Sequence, residues 1–315
     1  MPKNKVQFQK GMSLSEFLAA FGTEEQCRQA LMRWRWPEGF ACPACGHSGH
    51  CVLGRGLLQC HRCRHQCSVT AGTVFAGTKL PLTKWLLAIY LLTQSKNGMP
   101  ALALSRQIGV CYNSAWLMKH KLMQAMLEHE QGRRLDGLVQ LDDAYWGGRR
   151  RGRKRGRGAA GKTPFVAAVE VDPDDGRPLR MRMDRVRGFR HREIRRWSRK
   201  HLAAGCHVRS DGLSCFAAVT EAGCSHEPLI VSGPKGRKRR KAFIWVDTML
   251  GNVKNAMHGT YHAIAAKHLP RYLGEFVFRF NHRGNLAAML TTLGAAAALT
   301  PPMPHRFVKL AEAHW

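Results

Sequence analysis

The stretch GLVQLDDAYWGG, residues 137–148, decides the fold. An apolar run that ends in two aspartates and then Gly147-Gly148 reads as a strand carrying a carboxylate into the centre of a sheet, where it can face a metal ion. Successive strand side chains point to opposite faces, so only one of the pair can serve. Asp142 is the expected ligand, and Asp143 is expected to face away or to bind a neighbouring backbone group.

Two more acidic positions repeat the pattern. Asp211 follows the short strand CHVRS and precedes Gly212, which permits close backbone approach. Asp247 lies on or just before a helix, FIWVDTMLGNVK. Position i+7 of a helix returns to the same face, so Lys254 sits two turns along from Asp247. Asn252 offers an amide oxygen on the same segment. Shared carboxylates can hold two divalent ions about 4 Å apart, which activate one oxygen and stabilise another. Mg2+ or Mn2+ suits such oxygen ligands. The reaction such a site serves is in-line displacement at a phosphodiester, driven by positioning and charge neutralisation.

The elements around these positions predict an α/β chain. PFVAAVEV and PLRMRM read as further strands, a basic helix covers 190–203, and the remainder is mainly helical. Two basic loops interrupt the region: 149–162, with Arg151, Lys154 and Arg155, and 233–241, with Lys238 and Arg239. The first is expected to order on DNA. Lys267, Arg271, Glu275 and Arg279 recur every four residues and read as a salt-bridged, solvent-exposed stripe. Leu269, Tyr272, Leu273, Phe276 and Phe280 form the apolar face beside it. Tyr261 and His262 precede this stripe in GTYH, where a lone histidine reads more readily as a structural hydrogen-bonder than as a catalytic group.

Charge narrows the partner. Lys and Arg number 50 against 21 Asp and Glu, a formal net charge of +29. Such an excess repels itself unless a polyanion neutralises it, and nucleic acid is the expected partner, with steep salt dependence, ahead of a ribosome-associated or anionic-membrane-binding protein; the helix pair below narrows this to double-stranded DNA. The 44% hydrophobic content is enough for a core and excludes wholesale disorder. The N-terminal segment has no apolar run of signal-peptide length, and the run from Trp85 to Leu92 is too short to span a bilayer. A soluble, cytoplasmic, nucleoid-associated protein with no membrane partner is expected.

Eleven cysteines in a reducing compartment argue for metal rather than disulfides. Cys42, Cys45, Cys60 and Cys63 form two C-x-x-C knuckles that can place four thiolates at the corners of a tetrahedron around structural Zn2+. After this ribbon, Ala101 to Ile108, Gly109 and Tyr112 to Met126 read as helix, turn and helix. In that reading Asn113 and Ser114 start a recognition helix, Trp116, Leu117, Leu122 and Met126 face inward, and Lys119, His120 and Lys121 stay accessible to a major groove. The expected divisions are a helical lead-in (1–36), a zinc ribbon (37–79), a helix-turn-helix region (80–130), a catalytic domain (137–284) and a C-terminal helix and tail (285–315).

Ordered markers from about Thr23 to Arg283 resemble a known family. They are RWPEGFACPACG (35–46), SVTAGTVFAGTKLPLTKW (68–85), LDDAYWGG (141–148), SDG (210–212), WVDTMLGNVKNAMHGTYH (245–262) and KHLPRYLGEFVFRFNHR (267–283). The chain resembles insertion-sequence transposases with an N-terminal zinc ribbon and a DDE-type core, the bacterial group numbered fifteen-ninety-five. The resemblance implies a ribonuclease-H-like catalytic fold with a mixed sheet flanked by helices. It implies metal-dependent strand cleavage and strand transfer at inverted-repeat ends, with transposon-end and target DNA as partners and a homo-oligomer on DNA. It makes Asp142 and Asp211 the first two metal ligands and Lys254 a phosphate contact. The third position in the family is Glu or Asn, so Asn252 is the first choice by type and Asp247 the rival by charge. The alternative is a decayed or domesticated non-catalytic DNA-binding regulator, which needs the ribbon and the helix pair but not the aspartates.

Overall fold

The computed structural model describes residues 9–95, 97–147, 161–229, 242–261 and 263–311. The chain divides into two compact units, Met1–His129 with His282–Trp315, and Glu130–Asn281.

The first unit opens with α1 (Leu14–Phe21) and α2 (Glu24–Arg35). Ser13 and Thr23 start them with reciprocal capping boxes, in which Glu16 and Gln26 reach back to the cap. Three short antiparallel strands follow, β1 (His50–Val52), β2 (Leu58–Cys60) and β3 (Gln66–Cys67), in the order β1-β2-β3. Then come α3 (Leu82–Gln94), α4 (Ala101–Ile108) and α5 (Tyr112–Gln131), so the second helix of the pair runs five residues past Met126. Gly109 closes α4 at φ +65°, a left-handed position natural to glycine, and the Lys84 ammonium donates to its carbonyl at 2.7 Å.

The expected open face of α5 is not found. Lys119 and His120 are 1% exposed and Lys121 7%. At 100° per residue Lys119 falls inside the apolar arc of Ala115, Met123 and Met126, while Lys121 and Gln124 on the far side are covered as well. The Lys121 ammonium donates to the Val74 carbonyl at 3.1 Å and lies 5.8 Å from the Trp85 ring centre, and burial lowers its pKa. Only the first turn remains open: Asn113 is exposed and Ser114 half-buried.

The second unit is a five-stranded mixed sheet. Its strands are β4 (Leu138–Trp146), β5 (Thr163–Val171), β6 (Pro178–Arg185), β7 (His207–Ser210) and β8 (Ser225–Pro228), in the order β6-β5-β4-β7-β8. The first three pair antiparallel, and β7 and β8 run parallel to β4. This is the mixed sheet expected of a ribonuclease-H-like core, with β4 in its centre. SHEP, the sequence of β8, has no apolar alternation and gave no strand signal.

Alternation along β4 divides the unit into two cores. Val139 and Leu141 pack with Ile194 and Trp197 of α6 (His191–His201) and with Phe216 of a 3-10 helix, Ser214–Ala222. Ala144 and Trp146 pack with Met249, Val253 and Met257 of α7 (Ile244–Tyr261) and with Leu269, Leu273 and Val277 of α8 (Leu269–Asn281). The stripe on α8 is not solvated: Arg271, Glu275 and Arg279 are 3%, 1% and 8% exposed. Glu275 accepts from the Tyr261 hydroxyl at 2.8 Å and from Arg279 at 3.2 Å. The ion pair is therefore present, but α8 lies between α7 and β6, so its charged side is covered. His262 is outside the described residues.

The chain then returns to the first unit with α9 (Leu286–Leu299) and α10 (His305–Leu310). α9 packs on α2 and α3 rather than standing apart as a tail.

One contact sets α7 over the sheet. The Gln140 side chain, 3% exposed, lies two residues before Asp142 on the same face of β4. Its amide oxygen accepts the backbone N–H groups of Trp245 and Val246, both at 3.1 Å. These are first-turn donors that have no partner within the helix. Replacing Gln140 by Leu strands both, and the expected loss is about 1–3 kcal/mol of unfolding free energy by denaturant titration. An unchanged midpoint would show that α7 is held by its apolar face alone.

Candidate active site and metal centres

The acidic site forms where β7 stops. The last β4–β7 pair is Leu141 with Ser210. One further step in that parallel register sets Asp211 beside Asp142, on the α7 side of the sheet. Gly212, at φ +81°, turns the chain away at once, and the Leu213 N–H donates to Asp211 Oδ1 at 3.1 Å. Ser210, fully buried, braces the turn through His226 Nε2 at 2.9 Å.

Asp142, Asp143 and Asp211 each bring a carboxylate oxygen within 4.8 Å of the other two. Asp143 was expected to face away from the site. It belongs to the cluster nonetheless, at a point where the β4–β7 pairing has already ended opposite Leu141. Its N–H also donates to Asp142 Oδ1 at 2.8 Å.

Burial, then the charges of Asp211 and Asp143, raise the Asp142 carboxyl from 3.8 to about 7, and Asp247 adds a smaller push in the same direction. Three half-buried carboxylates at this spacing form an oxygen-rich cage, and the donor set fits Mg2+ or Mn2+.

Asp247 and Asn252 diverge on α7. Seven residues from Asp247 bring Lys254 back to within about 20° of the same helix face, whereas five residues place Asn252 about 140° away. Asp247 and Asn252 are both exposed, and Lys254 is half-buried with no carboxylate partner among the described residues. The Trp146 ring stacks on His258 at 4.6 Å and fastens α7 to the end of β4.

The cysteine centre lies in the first unit. The four sulfurs of Cys42, Cys45, Cys60 and Cys63 are mutually within 4.8 Å. Cys42–Cys63 and Cys45–Cys60 are both 3.6 Å apart, close to the edge of about 3.8 Å that a tetrahedron of 2.3 Å zinc–sulfur bonds requires. Each knuckle turns on one left-handed residue, Gly46 in the first and Arg64 in the second, whose N–H groups reach Cys42 O and Cys60 O at 2.8 and 3.1 Å. The N–H of Cys63 is the main influence that lowers the Cys60 thiol to about 7. The N–H of His65 lowers Cys63, but the neighbouring sulfurs and burial outweigh it and push Cys63 up to about 12. The cluster fits structural zinc.

Residues 134–281 match the model of the ISXO2-like transposase domain, and residues 22–66 match the transposase zinc-ribbon domain. Both segments are similar to domains found in transposases. A relative from Halobacterium salinarum, an uncharacterized protein in transposable element ISH50, is 25% identical over 180 residues. That match covers 55% of this chain and 59% of the relative.

The transposase domain coincides with the unit that holds the carboxylates, and its match begins four residues before β4 and ends with α8. The DNA-contact residues expected from sequence divide three ways. Asn113 and Ser114 are at an open helix start, and Lys119 is buried. Arg151, Lys154, Arg155, Lys238 and Arg239 lie outside the described residues. No described helix is long and apolar enough to cross a membrane.

Two measurements check the centres. The purified chain should carry a single zinc by atomic absorption, and Cys60→Ser should release it and expose the ribbon to protease. Full zinc content in that variant would remove Cys60 from the ligand set. For Asp142 the raised pKa means that the unfolded chain gives up its proton first as pH rises. In magnesium-free buffer the wild type should therefore lose stability relative to Asp142→Asn between about pH 4 and 7, by at most about 4 kcal/mol. A wild-type-minus-variant difference that stays flat with pH would mean that the carboxylates do not sense one another.

Proposed function

We propose that this chain cleaves and joins DNA strands at the inverted-repeat ends of an insertion sequence, using the carboxylates at the end of β4 and β7. The observation that carries the proposal is the convergence of Asp142, Asp143 and Asp211 under α7, inside the segment matched by a transposase domain.

Asp142 and Asp211 are proposed as the bridging ligands, since parallel register sets them side by side. Asp247 replaces Asn252 as the preferred third ligand. It carries charge, its field reaches Asp142, and Gln140 anchors the first turn of α7 on the Asp142 face of β4. Asp143 supplies a supporting carboxylate. When bound, Mg2+ or Mn2+ would activate the attacking oxygen and stabilise the leaving oxygen of an in-line displacement. Lys254, two turns from Asp247, contacts a phosphate next to the cut. The zinc ribbon and the open start of α5, with Asn113 and Ser114, bind the DNA ends, and joining two ends requires at least two copies on DNA.

The test is cleavage of a duplex carrying the flanking repeats, read as metal-dependent 3′-hydroxyl products. Asp142→Ala and Asp211→Ala should each cut less by about 100-fold or more while still binding the duplex. Asp247→Ala should fall with them and Asn252→Ala should stay near wild type; the reverse order would return Asn252 to the site. A wild type that binds the repeats and never cuts them would leave a DNA-binding regulator.

A further inference from the structure

The second unit carries a groove of about 620 Å³ lined by Arg187, Arg190, Arg192, Arg195, Arg196 and Arg199, with Glu193 as its one acid. Arg195 bonds Glu221 at 3.1 Å, and Arg199 donates to the Glu221 carbonyl at 3.4 Å. Among the described residues no carboxylate pairs with Arg187, Arg190, Arg192 or Arg196, and all four are exposed. Six guanidinium groups around one concavity repel one another. Their planar forks match phosphate oxygens, and only a polyanion offers enough of these at once.

The groove starts at the carboxylate edge of the sheet. β4 and β6 both run antiparallel to β5, so they run parallel to each other and end on the same side. Asp142, Ala167 and Met183 stand in one row across the sheet, and Arg185 is two rows further on, level with Ala144. The chain then enters the Arg187–Arg190 bend. Phe189 of that bend packs edge-on against Tyr145, two residues beyond Asp143 on the same face of β4. From there α6 leads away on the Asp143 face, its apolar side sealed by Ile194 and Trp197. Arg190 to Arg199 span about 14 Å along the helix, the length of roughly four nucleotides of duplex.

We propose that this groove holds the phosphodiester backbone of double-stranded DNA next to the scissile phosphate, as a second polyanion site beyond the metal-binding carboxylates. The proposal rests on the reading of the carboxylates as a DNA-cutting centre for what lies at the mouth of the groove. The arginines contact phosphates alone, so binding here is independent of sequence.

The experiment uses the full chain and a random-sequence duplex of about 25 base pairs, with affinity measured by anisotropy between about 50 and 200 mM salt. The triple variant Arg190→Ala, Arg192→Ala, Arg196→Ala should reduce the slope of log affinity against log salt by about 2–3, close to 0.9 for each phosphate that is no longer neutralised. The corresponding triple lysine variant keeps the charges and should keep most of the slope. A wild-type slope in the alanine variant overturns the proposal. So does an equal fall in both variants, since that would reflect disturbed geometry rather than charge. Asp142→Ala serves as the separating control. If its slope is unchanged and cleavage is never seen with any variant, the groove stands and the cutting assignment falls. If cleavage is metal-dependent and the alanine variant keeps its slope, the reverse holds.

Discussion

Repulsion among carboxylates at the end of the central strand is the constraint on which the second unit depends. Asp142 is held on the middle strand of five, between two helical layers, half-buried beside Asp211 and Asp143. A fold built only for stability would place apolar side chains there, because burying like charges together raises the free energy of the folded state. The surrounding architecture keeps the cluster in place. β7 stops one residue early, Gly212 turns the chain away, and Gln140 fixes the first turn of α7 above the strand. Each feature is inexpensive locally, and together they keep three acids close in a chain that carries a large excess of positive charge.

The excess charge is not spread evenly. Part of it is taken into the interior, where it is matched or desolvated: Arg182 bonds Asp184, Arg279 bonds Glu275, and Lys121 reaches a carbonyl under the Trp85 ring. The arginines of the β6–α6 bend and of α6 stay outside, on the face of the sheet toward which Asp143 points. Acid at the strand ends and base beside them create a steep local field. Such a field suits a substrate that is itself a chain of regularly spaced negative charges.

The helical unit shows where pattern reading meets its limit. The helix–turn–helix connectivity was visible in Gly109 and in the segments on either side. The accessibility of Lys119 was not, because it assumes that a helix has one apolar face and one wet face. α5 is covered on all sides over most of its length, and Lys121, whose long stem reaches the Val74 carbonyl, is tolerated there. The charged stripe on α8 misled in the same way, since i,i+4 spacing predicts that Glu275 and Arg279 pair but not whether water reaches them.

By itself the sequence determined the zinc ribbon, the strand that carries Asp142, the strand end that carries Asp211 and the helix that carries Lys254. These are local facts: C-x-x-C spacing, an apolar run ending in acid and glycine, and a seven-residue helical repeat. Tertiary structure decided what depends on neighbours. It brought Asp143 into the cluster, because Asp211 arrives beside β4 from a strand distant in sequence. It set Lys254 on nearly the same side of α7 as Asp247 and Asn252 on another, and Gln140 fixes where that helix begins. It turned arginines scattered over thirteen residues into one groove, because their convergence depends on how α6 lies against a sheet built from distant parts of the chain.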